Sequence, residues 1–515
     1  MRPPDGHTAV HHTAEQEAEH IHRIEEAGYT SAVPIGDGFM ESAVAMAPPH
    51  ERLSMERRAS SVEAMEETAR IEDDIGPPPD GGRQAWLTVL AGFLQQFCIF
   101  GMINCNGNLQ AYYLANQLEG YQKPTVAWIG SVQSFVEFAF ALITGRYLDV
   151  HGPVLLVSGA TVLGFAATIG MAFSYKFYQF FLSFFLFGIA GTLTYAPSGA
   201  IVSHWFAKRR SLAVGIVVCG SSVGGLIYPI MLEQLFVRTS YRNTMLIIGA
   251  MNFVLMAPGV FWMKTRLPPR RPPPLKDMLR PWHEPKYVVH VIGSVLYGMN
   301  ILAPFFTAIS YATENGLPDH IASYAVTICM SGSIVGRIAF GLLADRFGVW
   351  RIYGTVGFIS SIVMFAFWLP PMNGGPGAEA LTIIGLLSYG VISGSWFTLV
   401  PSATAAISPV HEAGMRFGML ITVMAIPSLV GPVITSALIE AGNNRFTYGA
   451  VWVGCCTALS GLVTNSIPFA EWVKRRRGWG KEEACSSVES TAPTLEEARI
   501  EEKPEGVQVT ETSKS

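Results

Sequence analysis

Apolar stretches of about twenty residues recur through the middle of the 515-residue chain, separated by short polar segments. A stretch of about 20 mainly apolar residues is long enough to cross the hydrocarbon of a bilayer as one helix. The pattern therefore predicts an all-α membrane protein with twelve transmembrane helices. The predicted spans cover residues 86–107, 124–144, 153–173, 177–199, 211–232, 244–264, 287–311, 321–343, 352–371, 380–401, 416–439 and 446–468.

Charged residues are scarce in this apolar region. Only 33 of the 74 charged residues lie between residues 83 and 470, and half of all residues are hydrophobic, which excludes a large water-soluble enzyme. Both ends of the chain are polar. The predicted organisation is a disordered acidic cytoplasmic tail (1–82), an N-terminal six-helix half (83–264), a cytoplasmic linker (265–286), a C-terminal six-helix half (287–470) and a second cytoplasmic tail (471–515).

The basic residues of the loops indicate the orientation. Loops on the side of the two tails contain fourteen Lys and Arg, whereas the opposite loops contain five. Because cytoplasmic loops are enriched in Lys and Arg, both termini are expected in the cytoplasm. The chain is thus predicted to be a multi-pass membrane protein. We expect it in the plasma membrane, with a vacuolar or other internal membrane as the alternative.

Two short motifs reveal an internal repeat. GRYLDVHG at 145–152 and GLLADRFG at 341–348 share Gly, Asp and Gly at an offset of 196 residues. The predicted fifth and eleventh helices share a Gly and a Pro at an offset of 203. Duplicated six-helix units suit alternating access in secondary transporters. The residues predicted to form the gating motifs are Gly145, Arg146, Asp149, Gly152, Gly341, Asp345, Arg346 and Gly348.

The repeated motifs resemble the signature between helices 2 and 3, and again between helices 8 and 9, of the major facilitator superfamily. PDGGRQAW at 79–86 resembles the segment before helix 1 in the monocarboxylate porter family, particularly its fungal members. Residues 206–225 and 331–348 resemble that family as well. The resemblance implies a twelve-helix carrier with a cytoplasmic gate, in which Asp149 and Asp345 are counterparts.

Two ionisable residues lie deep in the predicted spans, where such side chains are costly and usually face a cavity. Arg337 is predicted to attract an anionic substrate, since a guanidinium suits bidentate carboxylate recognition, or else to form a structural pairing near the cytoplasmic gate. The resemblance adds that monocarboxylate porters have a substrate-linked Arg in helix 8. Glu137 is a candidate proton carrier, or else a partner for an inward-facing basic group.

Polar and aromatic residues of predicted helices 1, 4, 7 and 10 are candidates for the substrate cavity. The resemblance adds that these helices line the path in the superfamily. Helix 1 lacks the Lys of proton-linked porters, and Ser333 replaces their acidic residue before Arg337, which disfavours lactate-type proton symport. A larger, partly uncharged solute is the better match. Besides Arg337, the candidate substrate-binding residues are Asn104, Tyr195, Asn300, Tyr389 and Trp396.

These observations predict a secondary active transporter for an organic anion, with proton coupling left open. No cofactor, metal ion or nucleic-acid partner is expected, because the sequence shows no metal-ligand spacing, no phosphate-binding loop and no nucleophile–base pair. We expect the partners to be a small-molecule substrate and the lipid bilayer. Export of a secondary metabolite is slightly favoured. The alternatives are a nutrient or vitamin importer and a transporter-derived receptor that signals through its acidic N-terminal tail.

Overall fold

A computed structural model describes residues 78–266, 277–373, 377–442 and 446–476. The predicted tails therefore lie almost entirely outside the described residues, as do residues 267–276 of the predicted linker. Within the described ranges every regular element is a helix or helical turn.

Sixteen α-helices make up the described chain, in two groups that precede and follow the predicted linker. The first group contains α1 (Arg83–Ile103), α2 (Asn106–Ala115), α3 (Lys123–Ala139), α4 (Ala141–His151), α5 (Val154–Ala172), α6 (Phe177–Ala200), α7 (Arg210–Arg238) and α8 (Tyr241–Trp262). The second contains α9 (Pro285–Ile301), α10 (Ala303–Glu314), α11 (Asp319–Ala322), α12 (Ala325–Phe347), α13 (Val349–Val363), α14 (Ala378–Ala406), α15 (Ala413–Ala441) and α16 (Thr447–Arg476).

The structure places helices over all twelve predicted spans. Among the described residues, eleven helical segments are long and apolar enough to cross a membrane, and α3 with α4 forms a twelfth that bends by 40°. The first span differs most from its predicted bounds, because α2 extends it to Ala115 beyond a polar stretch. The ninth span continues past α13 as a short π-helix, Met364–Trp368.

The outward faces of these helices are apolar. Ile143, Leu182, Val254, Phe261 and Val433 are each more than 60% exposed in the isolated chain. A soluble protein rarely exposes apolar side chains on this scale, whereas lipid tails solvate them without cost. The arrangement therefore matches helices that are surrounded by lipid.

Proline does not by itself determine where the spans break. Pro304 follows the break between α9 and α10, but the eleventh span contains Pro427 and Pro432 and α15 continues through both residues to Ala441. Span 2 contains no proline within its bend and is nevertheless broken at Phe140, between α3 and α4. The cause of this break must therefore lie outside the local sequence.

Two pairs of helices form the main interfaces between the groups. Helix α4 packs against α15, and α7 packs against α12. We call these the α4–α15 interface and the α7–α12 interface. Each begins at one of the two repeated motifs, so the internal repeat of the sequence corresponds to a repeated contact in the structure.

Candidate functional site

Each motif aspartate caps a helix of the other group. The Asp149 carboxylate accepts hydrogen bonds from the backbone N–H groups of Gly414 (3.0 Å) and Met415 (2.6 Å), at the start of α15. The Asp345 carboxylate accepts from Ser211 (2.8 Å) and Leu212 (2.9 Å), at the start of α7. A carboxylate at a helix N-terminus satisfies free N–H groups and opposes the positive end of the dipole. We call these contacts the Asp149 cap and the Asp345 cap.

The motif glycines allow the capped helices to approach closely. A Cβ atom at Gly145 would lie 2.0 Å from the carbonyl oxygen of Gly414, and one at Gly341 would lie 2.8 Å from that of Ser211. Any larger residue would push the helices apart, because such separations are well below van der Waals contact.

The other motif residues lie beside the caps. Gly152 (φ 80°) and Gly348 (φ 95°) end α4 and α12 with left-handed backbone angles that favour glycine. Arg146 is half-buried, and Arg346 is exposed with its guanidinium carbon 5.4 Å from the Phe347 ring centre.

A cavity lies where both groups of helices meet. Its wall is mostly aromatic and aliphatic, and only Tyr195, Trp396 and Ser428 among its residues have a polar side-chain atom. In this structure the free space is about 10 Å³, room for about one water molecule, so a larger ligand would require the helices to separate. Aromatic faces of this kind suit the apolar part of an amphipathic ligand. The lining residues are Phe138, Tyr195, Ile301, Leu302, Trp396, Phe397, Ile421, Met424 and Ser428.

The structure brings two of the predicted substrate-binding residues into this wall. Tyr195 in α6 contacts Phe138 across the cavity, with ring centres 5.7 Å apart. Trp396 in α14 stacks face to face on Tyr297, at 5.1 Å and an interplanar angle of 8°. Both side chains are almost fully buried and are held by neighbouring rings.

Three other predicted residues do not line the cavity. Tyr389 lies behind its wall and donates a hydrogen bond to the carbonyl oxygen of Ile301 (2.8 Å). The Asn300 side chain donates to Leu296 within α9 (3.4 Å), and Asn104 donates to the carbonyl oxygen of Ser221 in α7 (3.3 Å). These side chains form hydrogen bonds that stabilise the helices and do not face the cavity. The sequence could not predict this, because it does not reveal which face of a span points inward.

Arg337 lies at the α7–α12 interface, one layer behind the cavity. Its guanidinium donates to the carbonyl oxygen of Val218 and to the Ser221 hydroxyl, both in α7. Its carbon atom lies 5.5 Å from the ring centre of Phe397, which does line the cavity. Arg337 is 4% exposed, and no carboxylate of the described residues lies within ion-pair distance. A buried cation without a counter-ion is a natural site for an anion.

Glu137 is buried near Tyr195. It is 1% exposed, its Oε1 atom accepts no hydrogen bond from any described residue, and it packs against Gly191 in α6. Tyr195 lies within electrostatic range of both Glu137 and Arg337. The two ionisable residues predicted from the sequence are thus brought to one region without forming an ion pair.

Several site residues were missed in the sequence. Phe138, Met424 and Ser428 line the cavity from the second and eleventh spans, which had not been considered as cavity helices. Arg416 is another, since its guanidinium binds both oxygens of Glu284 (2.6 and 2.8 Å) just beyond the Asp149 cap. The 203-residue offset relates the eleventh span to the fifth and could have pointed to this region.

Apolar spans, capped interfaces and a cavity between helix groups define a multi-pass membrane transporter rather than an enzyme. The sequence matches the family described as Major Facilitator Superfamily over residues 92–432 and again over 291–499. The chain belongs to this family. Its function is therefore to move a small molecule across a lipid bilayer.

Curated relatives from fungi support this assignment. The chain is 33% identical to "MFS-type transporter 1" of Ophiocordyceps sp. (strain BCC 1869), over 75% of this chain and 85% of the relative. It is 32% identical to the "Aspyridones efflux protein apdF" of Emericella nidulans, over 73% and 78% of the two chains. It is 30% identical to the "Fujikurins efflux protein" of Gibberella fujikuroi, over 76% and 83%.

The fold is also shared with solved structures of low sequence identity. A bacterial homologue of the iron transporter ferroportin superposes with a TM-score of 0.60 at 14% identity, and the match covers 75% of this chain and 99% of that one. At this identity the similarity concerns the fold alone.

Proposed function

We propose that this protein is a secondary active transporter that exports an organic anion by alternating access. The observation that supports the proposal most strongly is the cavity between the two helix groups, flanked by interfaces that end in the Asp149 and Asp345 caps. Opening both caps would expose the cavity at that end, because each cap joins helices of different groups.

The two groups would move as the six-helix halves that the sequence repeat predicts, 83–264 and 287–470. The excess of basic residues in the loops on the capped side supports a cytoplasmic location for the caps and both termini. In the structure the caps are formed and the helices are in close contact at Gly145 and Gly341. The described arrangement is therefore a state that is closed on the proposed cytoplasmic side.

The proposed substrate combines a negative charge with a sizeable apolar body. The unpaired Arg337 supports the charge, and the aromatic wall around Tyr195 and Trp396 supports the apolar body. Phe397 lines the cavity and also contacts the Arg337 guanidinium, so a rotation of this ring would let a carboxylate reach Arg337. Such a substrate differs from a small monocarboxylate, although it keeps the recognition chemistry of the monocarboxylate porters that the sequence resembles.

Glu137 is the proposed site of proton coupling. A carboxyl group without a cationic partner is easiest to bury when it is neutral, so proton binding and release would accompany a change in its exposure. Glu137 does not line the cavity, but it directly precedes Phe138, which does. Substrate binding could thereby alter its access to water.

The direction of transport is proposed from the relatives. Two of the fungal relatives are named efflux proteins for aspyridones and fujikurins, and the aromatic side chains of the cavity wall suit compounds with apolar surfaces. Export across the plasma membrane is accordingly our preferred direction and location.

Metabolite profiling tests this function directly. Cells that natively make the protein are compared with cells in which its gene is deleted, and organic acids are measured inside and outside. We expect at least one amphipathic anion to be enriched inside the deleted cells and depleted from their medium. The opposite distribution would indicate import, whereas identical profiles would contradict a transport function in these cells.

A further inference from the structure

Span 2 is broken although its counterpart in the internal repeat is continuous. Helix α3 ends at Ala139, Phe140 leaves the helical conformation with ψ 6°, and α4 starts at Ala141. The repeat aligns span 2 with span 8, where α12 runs without interruption from Ala325 to Phe347. The break is therefore not required by the shared motif and belongs to one copy only.

The local sequence does not explain the break. Residues 136–144 read VEFAFALIT and contain neither Pro nor Gly. Sharp kinks in helices otherwise arise where a side chain enters the ladder of backbone hydrogen bonds. A cause of this kind is present here, and it is contributed from another helix.

The Thr422 hydroxyl of α15 is inserted into the ladder at the break. It accepts a hydrogen bond from the backbone N–H of Leu142 at 3.0 Å, and it lies 3.3 Å from the carbonyl oxygens of Phe138 and Ala139. In an unbroken helix the Leu142 N–H would donate to the Phe138 carbonyl. One hydroxyl from the second group thus replaces a backbone hydrogen bond of the first group.

The break separates the cavity wall from the gate. On one side, Phe138 at the end of α3 lines the cavity. On the other side, α4 ends in the Asp149 cap and is held against α15 at Gly145, where there is no room for a side chain. Helix α4 is therefore fixed to α15 by two contacts beyond the break, while α3 can tilt at Phe140.

We propose that Thr422 is the positioning residue that couples the ligand cavity to the Asp149 cap through the break in span 2. The proposal rests on the alternating-access transport function proposed above. A ligand that displaces Phe138 would tilt α3 and pull the Phe138 carbonyl from the Thr422 hydroxyl. The direct hydrogen bond between Leu142 and Phe138 could then form, and straightening of the span would draw Asp149 away from α15.

Substitution of Thr422 tests the coupling without a substrate. Thr422→Val keeps the size of the side chain but removes the hydroxyl, Thr422→Ala removes it without added bulk, and Thr422→Ser retains it. The matched control is Thr435→Val in the same helix. The Thr435 hydroxyl donates to the carbonyl oxygen of Gly431 (3.0 Å), which also belongs to α15, so this bond does not join two helices.

The readout is the separation of two spin labels at the capped end, measured in the purified full-length protein with no ligand added. Labels are attached to His151→Cys in α4 and Arg351→Cys in α13, both exposed positions, in a background with Cys455 and Cys485 replaced by Ser. Wild type, Thr422→Ser and Thr435→Val should give one short distance. Thr422→Val and Thr422→Ala should populate a longer distance, with a roughly tenfold lower ratio of closed to open molecules.

The proposal is overturned if both variants without the hydroxyl keep the wild-type distance distribution. Should Thr422→Val fail to fold, as judged by size-exclusion chromatography, the Thr422→Ala result decides. This measurement is independent of the substrate. If metabolite profiling finds no transported anion while the distances shift as expected, the coupling stands and the proposed function is what has failed.

Discussion

The α4–α15 and α7–α12 interfaces end in equivalent aspartate caps, but they differ deeper in the membrane. At the α7–α12 interface both helices are continuous and Arg337 is inserted between them. At the α4–α15 interface the position equivalent to Arg337 is Ala141, the helix is broken beside it, and Thr422 enters the gap.

The difference indicates that the two repeat-related groups of helices have different functions. Their motifs have the same geometry, since both aspartates bind two N–H groups at a helix start. The interior positions were free to diverge. One copy contains the buried cation and the other contains the buried carboxyl group, Glu137, whose repeat-related position is Ser333.

The largest effect is expected from removing the cation. Arg337→Ala should lower the flux of an anionic substrate by roughly tenfold or more, because hydrogen bonds to a charged group are the strongest that a site of this kind offers. Flux is measured in vesicles alongside the amount of protein in the membrane. Arg337→Lys should retain part of the flux, since it preserves the charge but not the planar fork. Wild-type flux in the alanine variant would contradict a role of Arg337 in substrate binding. The presence of Arg337 at the α7–α12 interface would then have no functional consequence for transport.

The second prediction concerns Glu137. Glu137→Gln should abolish the pH dependence of net transport while leaving exchange of labelled for unlabelled substrate, because a neutral amide cannot bind and release a proton. The control is Glu233→Gln, at an exposed position of α7. If the pH dependence of the Glu137 variant equals that of wild type, the Glu137 carboxyl group has no function in proton coupling. The break in span 2 would then be the only functional difference left to the first group of helices.

The third prediction asks whether the two caps open together. Asp149→Asn and Asp345→Asn should each raise the open population by about fivefold, as expected for the loss of about 1 kcal/mol at a helix N-terminus. Maleimide labelling of Ala413→Cys reports on the start of α15, and labelling of Ser211→Cys reports on the start of α7. Rigid halves predict faster labelling at both reporters in either variant. Faster labelling only beside the mutated cap would mean local fraying and would contradict rigid-body motion.

The smallest effect is expected at the ion pair beyond the Asp149 cap. Glu284→Gln removes the bidentate partner of Arg416, but the Glu284 side chain is 38% exposed, so water screens the interaction. We expect a loss of about 0.5 kcal/mol in the free energy of unfolding, seen as a small decrease in thermal stability. Glu314→Gln, at another exposed position, is the control. A loss as large as that caused by breaking a buried pair would contradict the expected screening of this ion pair by water.

Much of the fold could be predicted because it depends on patterns within single segments. Apolar runs located the twelve spans, and the spacing of Gly145, Asp149 and Gly152 identified the repeated motif before its contacts were known. The broken span could not be predicted, because its cause lies 280 residues away in Thr422. Tyr389 was expected in the cavity but supports its wall from behind, since a span that is apolar on all sides does not reveal its inward face.

Transport of an organic anion with the help of Arg337 can be tested through the metabolite profile of deleted cells that are complemented with wild type or with Arg337→Ala, at equal amounts of membrane protein. We expect wild type to restore at least one amphipathic organic anion to the medium and the variant to leave it inside the cells. If both proteins restore the same profile, or neither changes it, transport with the help of Arg337 is contradicted.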